Sequence, residues 1–190
     1  KPQTNESYSA LNFLKVGEID SLLLMREYEP TDLLRLAAPY DFIKFSENKI
    51  LFCIADVSGK GMAAAMIMAN FQALVQNLGQ QYRDLETLVI ALNQTVSRMT
   101  KGEKYLTFFI AIADIKQNML YYVNAGHIPP LLIKGNESTE LKATTTIIGH
   151  FENLPEINEG IVRLDEDVTL IAFTDGLVDI KNKSGKNYNT

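Results

Sequence analysis

Two aspartates of this chain stand where an apolar run ends and a turn begins. Asp56 closes the run KILFCIA and is followed by the turn Gly59-Lys60-Gly61. Asp175 closes the run VTLIAFT and is followed by Gly176. If both runs are buried strands, both carboxylates can lie at one mouth of a sheet, where they would repel each other. A hard divalent cation such as Mg²⁺ or Mn²⁺ removes that repulsion, since carboxylate oxygens are its preferred ligands.

Each aspartate also has a purely structural explanation. Asp favours turns, and Asp-Gly pairs are common in them. Taken singly, either motif is more typical of an ordinary turn than of a metal site. Only the repetition of the same context at Asp56 and Asp175 favours the metal site.

The glycine turn offers a second functional hypothesis. Residues 59–64, GKGMAA, match the pattern G-x-G-x-x-A between a strand and a helix, which is typical of dinucleotide binding. That interpretation requires a parallel strand with an acid after the helix, whereas a second helical pattern follows here. A dinucleotide enzyme is therefore the weaker alternative, and it would bind its cofactor without depending on a metal.

A third motif is the segment NAGHIPP at residues 124–130. Its glycine and two prolines predict a stiff turn between strands. His127 could serve as a general acid or a metal ligand. Because no Cys or second His stands at ligand spacing, we favour a histidine that pins the turn by hydrogen bonds.

The composition is that of an ordinary globular domain. The chain has 190 residues, of which 46% are hydrophobic and 22% charged, which fits one domain. Its net charge of -5 and its lack of a basic cluster argue against nucleic-acid binding. Its longest apolar run, Met62 to Ala69, is too short to span a bilayer. With no signal-like segment and a single cysteine, Cys53, we expect a cytoplasmic protein without internal disulfides.

The order of predicted elements is strands, then two helices, then strands. This order predicts an α+β fold with mainly antiparallel sheets. We expect residues 1–16 to be a polar lead-in or linker and residues 17–190 to form the domain. The predicted strands are Ser21–Tyr28, Tyr40–Phe45, Lys49–Ala55, Leu106–Ile115, Leu120–Asn124, Leu131–Lys134, Ile161–Leu164 and Val168–Phe173.

Both predicted helices are defined by apolar patterns. The first runs from Met62 to about Leu78, and its first half is apolar on every side, which predicts burial all round. The second has Asp84 as a plausible N-cap. Its apolar residues share one face at helical spacing; they are Leu85, Leu88, Val89, Leu92, Val96 and Met99.

Taken together, the motifs resemble those of the bacterial PPM phosphatases, the protein phosphatase 2C-like domains of sporulation and stress-response partner switching. ADVSGKG at residues 55–61 resembles their first aspartate motif. NAGHIPP resembles their N-A-G-H-x-P-P turn, and FTDGLVD at residues 173–179 resembles their late T-D-G motif. The similarity covers residues 20–182 in three ordered motifs.

The resemblance implies a fold and a chemistry. The fold is an α/β/β/α sandwich, with two antiparallel sheets stacked face to face and a helix pair on each outer side. At one edge, two Mn²⁺ or Mg²⁺ ions activate a water for attack on the phosphorus of phosphoserine or phosphothreonine. Asp56 would bridge both ions. Val57 would lend its backbone carbonyl to one of them, and Asp175 would hold the other. Asp179 would bind a further, more weakly held ion or its waters.

Two departures from the family pattern bear on the metal site. The family carries Gly-Gly-Asp before its Tyr-Asp pair, whereas this chain reads Leu36-Ala37-Ala38-Pro39-Tyr40-Asp41. Asp41 and Asp32 are the candidates to replace that missing acid. The last acidic motif of the family is also not found after Asp175, so the C-terminal end of the domain looks incomplete. We therefore expect this chain to bind fewer metal ions than other members of the family, or to bind them more weakly.

The resemblance leads to two functional hypotheses. The first is a metal-dependent serine/threonine phosphatase acting on a phosphorylated regulatory protein of the anti-anti-sigma (STAS) type, under an upstream sensor domain. The second is a pseudophosphatase that binds a partner protein without turnover. The missing acids favour the second hypothesis, while the intact ADVSGKG and TDG motifs favour the first.

Overall fold

The computed structural model of the protein describes residues 12–16, 40–164 and 168–175. Strands and helices follow one another in the predicted order. In chain order they are β1 (Asn12–Val16), β2 (Tyr40–Ser46), β3 (Lys49–Val57), α1 (Met62–Gln81), α2 (Leu85–Thr100), β4 (Leu106–Asp114), β5 (Met119–Ala125), β6 (Leu131–Lys134), β7 (Glu137–Glu140), β8 (Gly160–Arg163) and β9 (Val168–Ala172).

The strands form two antiparallel sheets. One sheet has four strands in the order β1-β9-β6-β7, and the other has five in the order β2-β3-β4-β5-β8. Strand β3 is paired along its whole length with β4, from Lys49 opposite Asp114 to Val57 opposite Leu106. The prediction of an α+β fold with stacked antiparallel sheets is confirmed.

Alternation along β3 divides the core into two layers. Phe52 and Ile54 belong to the apolar cluster that also contains Leu132 and Leu170 of the four-stranded sheet. Cys53 instead belongs to the cluster that contains the buried residues of both helices. Since successive side chains of a strand point to opposite faces, even-numbered positions of β3 face the other sheet and odd-numbered positions face the helices.

The helix pair covers the outer face of the five-stranded sheet. Phe71 of α1 meets Phe108 of β4 edge to face, with ring centroids 5.0 Å apart. Among the described residues, α1 and α2 are the only helices, so the second helix pair that the resemblance implied is not within this part of the chain. Neither helix is long and apolar enough to cross a membrane.

The prediction that the first half of α1 is buried all round is wrong. Met62 and Met66 are 64% and 60% exposed, whereas Ala64 and Met68 are buried. Only one face of α1 packs on the sheet, so an apolar sequence on every side does not produce burial on every side.

One segment of the predicted lead-in is a strand. Asn12–Val16 forms β1 and pairs with Val168–Ala172 of β9, so these five residues belong to the four-stranded sheet. The predicted strand Ser21–Tyr28 lies outside the described residues.

Helix α2 follows its sequence pattern closely. The Asp84 carboxylate accepts a hydrogen bond from the Thr87 backbone N–H at 2.8 Å, which confirms the predicted N-cap. The apolar stripe is buried, except that Met99 is 48% exposed near the end of the helix. The stripe therefore serves to pack α2 on the sheet.

Truncation of that stripe should destabilise the fold without changing the site. Leu92 is fully buried, so Leu92→Ala should lower the free energy of unfolding by about 2–5 kcal/mol. Ile90→Ala is the matched control, because Ile90 lies on the same helix and is 37% exposed. Denaturant unfolding measures both losses, and the loss for Ile90→Ala should be much smaller. A Leu92→Ala variant of unchanged stability and altered metal affinity would contradict this assignment.

Candidate functional site

Strand β3 fixes the position of Asp56. The residue lies one position before the end of β3 and opposite Thr107 of β4. Its even number places it on the face that carries Phe52 and Ile54, toward the other sheet. The carboxylate of Asp56 therefore stands at the edge of the sandwich interior, partly open to solvent.

The second acid, Asp175, comes from the other sheet. It follows the end of β9 by three residues and is exposed. Burial and the neighbouring Asp175 carboxylate raise the pKa of Asp56 to about 6, while the backbone N–H of Val57 acts in the opposite direction. The structure thus brings the two acids together, although from facing sheets and not from the mouth of a single sheet.

The loop after Asp56 is tied to the start of β4. The Ser58 backbone N–H donates to the carbonyl of Tyr105 at 2.8 Å, and the Tyr105 N–H donates to Ser58 Oγ at 3.1 Å. Gly59 and Gly61 then adopt φ values of 96° and 84°, a region that side chains disfavour. The glycines allow the chain to turn from β3 into α1 immediately after the acid has been placed.

Asp41, proposed as a substitute acid, is not brought to this site. It pairs with Cys53, so it shares the helix-facing side of the sheet, opposite to the face of Asp56. Its Oδ1 accepts a hydrogen bond from Gln76 Nε2 of α1. Asp32, the other proposed substitute, and Asp179 lie outside the described residues.

The two adjacent acids have the chemistry of a partial site for a hard cation. Mg²⁺ and Mn²⁺ prefer oxygen ligands, and a pair of carboxylates in repulsive contact is stabilised by a divalent charge. Within the described parts of the chain, no group of three or more His, Cys, Asp or Glu residues is placed to hold a metal. Of the acids within residues 40–164 and 168–175, Asp56 and Asp175 fit such an ion, and these two side chains supply only a fraction of its six ligands.

Hydrogen bonds hold His127 in place, which agrees with the favoured interpretation of a turn histidine fixed by hydrogen bonds. It is 3% exposed, its Nδ1 lies 2.9 Å from Thr107 Oγ1, and its Nε2 lies 3.1 Å from the carbonyl oxygen of Phe173. The turn itself is held by Asn124, whose Oδ1 accepts from the His127 backbone N–H at 2.8 Å. Both ring nitrogens have protein partners, so the ring is not arranged as a metal ligand or general acid. The motif signalled a fixed histidine, but not the distant residues that it contacts.

Comparisons with known proteins identify the family. Residues 46–190 match the family described as stage II sporulation protein E (SpoIIE). The chain is 30% identical over 146 residues to phosphoserine phosphatase RsbP of Bacillus subtilis (strain 168), covering 74% of this chain and 36% of RsbP. It is 24% identical over 148 residues to phosphoserine phosphatase RsbU of the same organism, covering 77% of this chain and 44% of RsbU.

The fold agrees with a solved structure as well. The PP2C phosphatase domain of SpoIIE from Bacillus subtilis, solved with a fragment of its regulatory domain, superposes with a TM-score of 0.67 at 17% identity, covering 92% of this chain and 49% of that one. The chain spans less than half the length of both curated relatives. Because the family match covers most of the chain, this protein belongs to the stage II sporulation protein E (SpoIIE) family of PP2C-like (PPM) phosphatases, as its motifs indicated.

Proposed function

We propose that this chain is a metal-dependent protein serine/threonine phosphatase that hydrolyses phosphoserine or phosphothreonine on a regulatory partner protein. The observation that carries the proposal is the meeting of Asp56 and Asp175 at one edge of the sandwich, where burial and the neighbouring Asp175 carboxylate together raise the pKa of Asp56 to about 6. Membership of a family of protein serine phosphatases supports the same reaction.

The charge of the substrate explains why these acids would need a cation. A phosphate monoester is an anion, and two bare carboxylates would repel it. Mn²⁺ or Mg²⁺ bound there would neutralise this charge, lower the pKa of a water and stabilise the phosphoryl oxygens during attack. Asp56 and Asp175 would hold the ions in place, with the backbone carbonyl of Val57 and the carboxylate of Asp179 as further ligands.

The scaffold would supply orientation. Asp56 lies near the end of β3, where it is paired with Thr107 of β4, and the loop that follows it is hydrogen-bonded to Tyr105. A carboxylate held this way changes its position little when a cation or a phosphate binds. Such preorganisation is what phosphoryl transfer mainly requires of a protein.

The partner in this proposal is a phosphorylated regulatory protein of the anti-anti-sigma (STAS) type, located in the cytoplasm. The names of RsbP and RsbU, both phosphoserine phosphatases, support phosphoserine as the group that is hydrolysed, and the STAS type of partner follows from the resemblance of the motifs. Both relatives are longer than the parts that match this chain. The proposal therefore has an upstream sensor domain that controls the phosphatase.

The second candidate function is a pseudophosphatase that binds its partner without turnover. The orientation of Asp41 favours it, because this acid faces the helices and does not replace the acid absent before Tyr40. Turnover of a phosphoserine peptide separates the two functions directly.

Replacement of Asp56 by Asn should abolish activity, whereas replacement of Asp41 by Asn, on the opposite face of the sheet, should not. Asp56→Asn keeps the size of the side chain and removes the charge that holds a cation. We expect it to eliminate Mn²⁺-dependent hydrolysis of a phosphoserine peptide. Asp41→Asn is the matched control, because it retains the Oδ1 that accepts from Gln76 and should preserve turnover.

The opposite pattern would contradict the assignment. If Asp56→Asn retained full metal-dependent turnover, the proposed site would be wrong. If Asp41→Asn lost turnover while its unfolding temperature stayed unchanged, Asp41 would belong to the site. A wild-type chain that binds Mn²⁺ but shows no turnover would favour the pseudophosphatase.

Without divalent cations, the Asp56→Asn variant should be more stable than the wild type at high pH. The folded pKa of Asp56, about 6, is higher than that of an unfolded aspartate. The charged form therefore costs stability above pH 6, and this cost disappears as the pH falls below about 4. Because the carboxyl group is only half-buried, solvent screening reduces the effect to about 1 kcal/mol, or about 2–4 °C in Tm.

Thermal unfolding in EDTA between pH 4 and pH 8 measures this difference. The Tm of Asp56→Asn should exceed that of the wild type at pH 8, and the two should converge near pH 4. Glu137→Gln, an exposed change on β7, serves as the control and should show no such trend. A gap that is constant with pH would mean that Asp56 is not destabilised by its surroundings.

A further inference from the structure

We propose that His127 is a positioning residue. It holds the segment that bears Asp175 against β4, the strand that pairs with Asp56. This inference rests on the proposed function, since it assigns a role in the same site. It goes beyond the turn-pinning role that the sequence suggested, because the hydrogen bonds of the ring join the turn to two other parts of the chain.

The contacts of the imidazole join both sheets. Nδ1 lies 2.9 Å from Oγ1 of Thr107, the β4 residue directly opposite Asp56. Nε2 lies 3.1 Å from the carbonyl oxygen of Phe173, two residues before Asp175. One ring therefore connects the neighbour of the first acid to the backbone that leads into the second.

The polarity of these bonds can be assigned. The Phe173 carbonyl can only accept, so Nε2 carries the hydrogen. Burial lowers the pKa of His127 to about 4, so the ring is neutral near pH 7. In the neutral ring Nδ1 has a free lone pair and accepts from the Thr107 hydroxyl.

The turn before the ring is held rigidly. Asn124 Oδ1 accepts from the His127 N–H, and Asn124 Nδ2 donates to the Leu141 carbonyl at 2.9 Å. Gly126 has a φ of 67°, and a Cβ there would lie 2.9 Å from Ile147 Cγ2. The backbone thus presents the ring in one orientation, and the NAGHIPP motif gains a function at the far side of the sandwich.

The need for such a link follows from the topology. Backbone hydrogen bonds fix strands within a sheet, but Asp56 and Asp175 belong to different sheets. Apolar packing between sheets is not directional, so it does not set the separation of two charged groups that repel each other. A pair of directional hydrogen bonds through His127 does.

Two variants separate the bonds of the ring. In His127→Gln the side-chain amide nitrogen can occupy the place of Nε2 and still donate to Phe173. In His127→Asn the side-chain oxygen can occupy the place of Nδ1 and accept from Thr107, but the side chain is too short to reach Phe173. Each variant loses one hydrogen bond, so a purely structural histidine would give similar results for both.

The first measurement uses the metal-free protein. Hydrogen–deuterium exchange of the peptide covering residues 168–175 should be faster in His127→Asn than in the wild type, and close to the wild-type rate in His127→Gln. His150→Asn is the control, because the other histidine contacts Gly102 and not Phe173; it should leave this exchange unchanged. Thermal unfolding identifies any variant that fails to fold.

The second measurement is Mn²⁺-dependent hydrolysis of a phosphoserine peptide. His127→Asn should lower turnover, or raise the Mn²⁺ concentration required, by about 10–100-fold, the usual effect of losing a residue that orients a metal ligand. His127→Gln should recover most of that loss.

The outcomes distinguish the two proposals. Equal effects of the Asn and Gln variants on exchange, or no effect of either, would overturn the positioning role. If His127→Asn fails to fold, His127→Gln provides the test. Exchange of Phe173 in a folded His127→Gln variant at the rate of an unfolded chain would also overturn the positioning role. If the variants show the expected exchange pattern but the wild type shows no turnover, the positioning role is supported and the phosphatase is refuted.

Discussion

Repulsion between two carboxylates from facing sheets is the constraint on which this structure depends. Asp56 and Asp175 raise the free energy of the metal-free fold when both are charged, so their surroundings must hold them together. Strand β4 does so for Asp56, because Thr107 is paired with this acid and the loop that follows it is hydrogen-bonded to Tyr105. A free loop would allow the acid to move away from its neighbour, and the cation site would be lost.

The two-residue period of β3 explains how one strand serves both the core and the site. Odd-numbered positions such as Cys53 are buried under the helices, whereas even-numbered positions face the other sheet and end in Asp56. The same period determines the place of Asp41. Its partner Cys53 is three positions before Asp56, an odd number, and therefore Asp41 lies on the helix side. An acid near the site in sequence is thus excluded from it by register alone.

These facts also show how far the sequence predicts the site. The strands, the helices and the two acids could be identified because apolar periodicity and turn residues act over short distances, as at the Asp84 cap of α2. The orientation of Asp41 could not, because it depends on the pairing register. The partners of His127 lie 20 and 46 residues away in the chain, and no local pattern encodes them. The exposure of Met62 and Met66 was missed because composition does not show which face of a helix packs.

The raised pKa of Asp56 connects the stability of the fold to its proposed chemistry. In the metal-free protein a proton relieves the repulsion between the two acids, and in the loaded protein a divalent cation would relieve it instead. Proton and cation therefore compete for the same carboxylate, since a ligand must lose its proton to bind a metal. With a pKa of about 6 for Asp56 in the metal-free site, cation binding should weaken as the pH falls through 6, because a growing fraction of the carboxyl group carries a proton. The ring of His127 is neutral above about pH 4, so its hydrogen bonds do not change over this pH range. We therefore expect it to keep the geometry of the site the same in the protonated and the cation-bound protein.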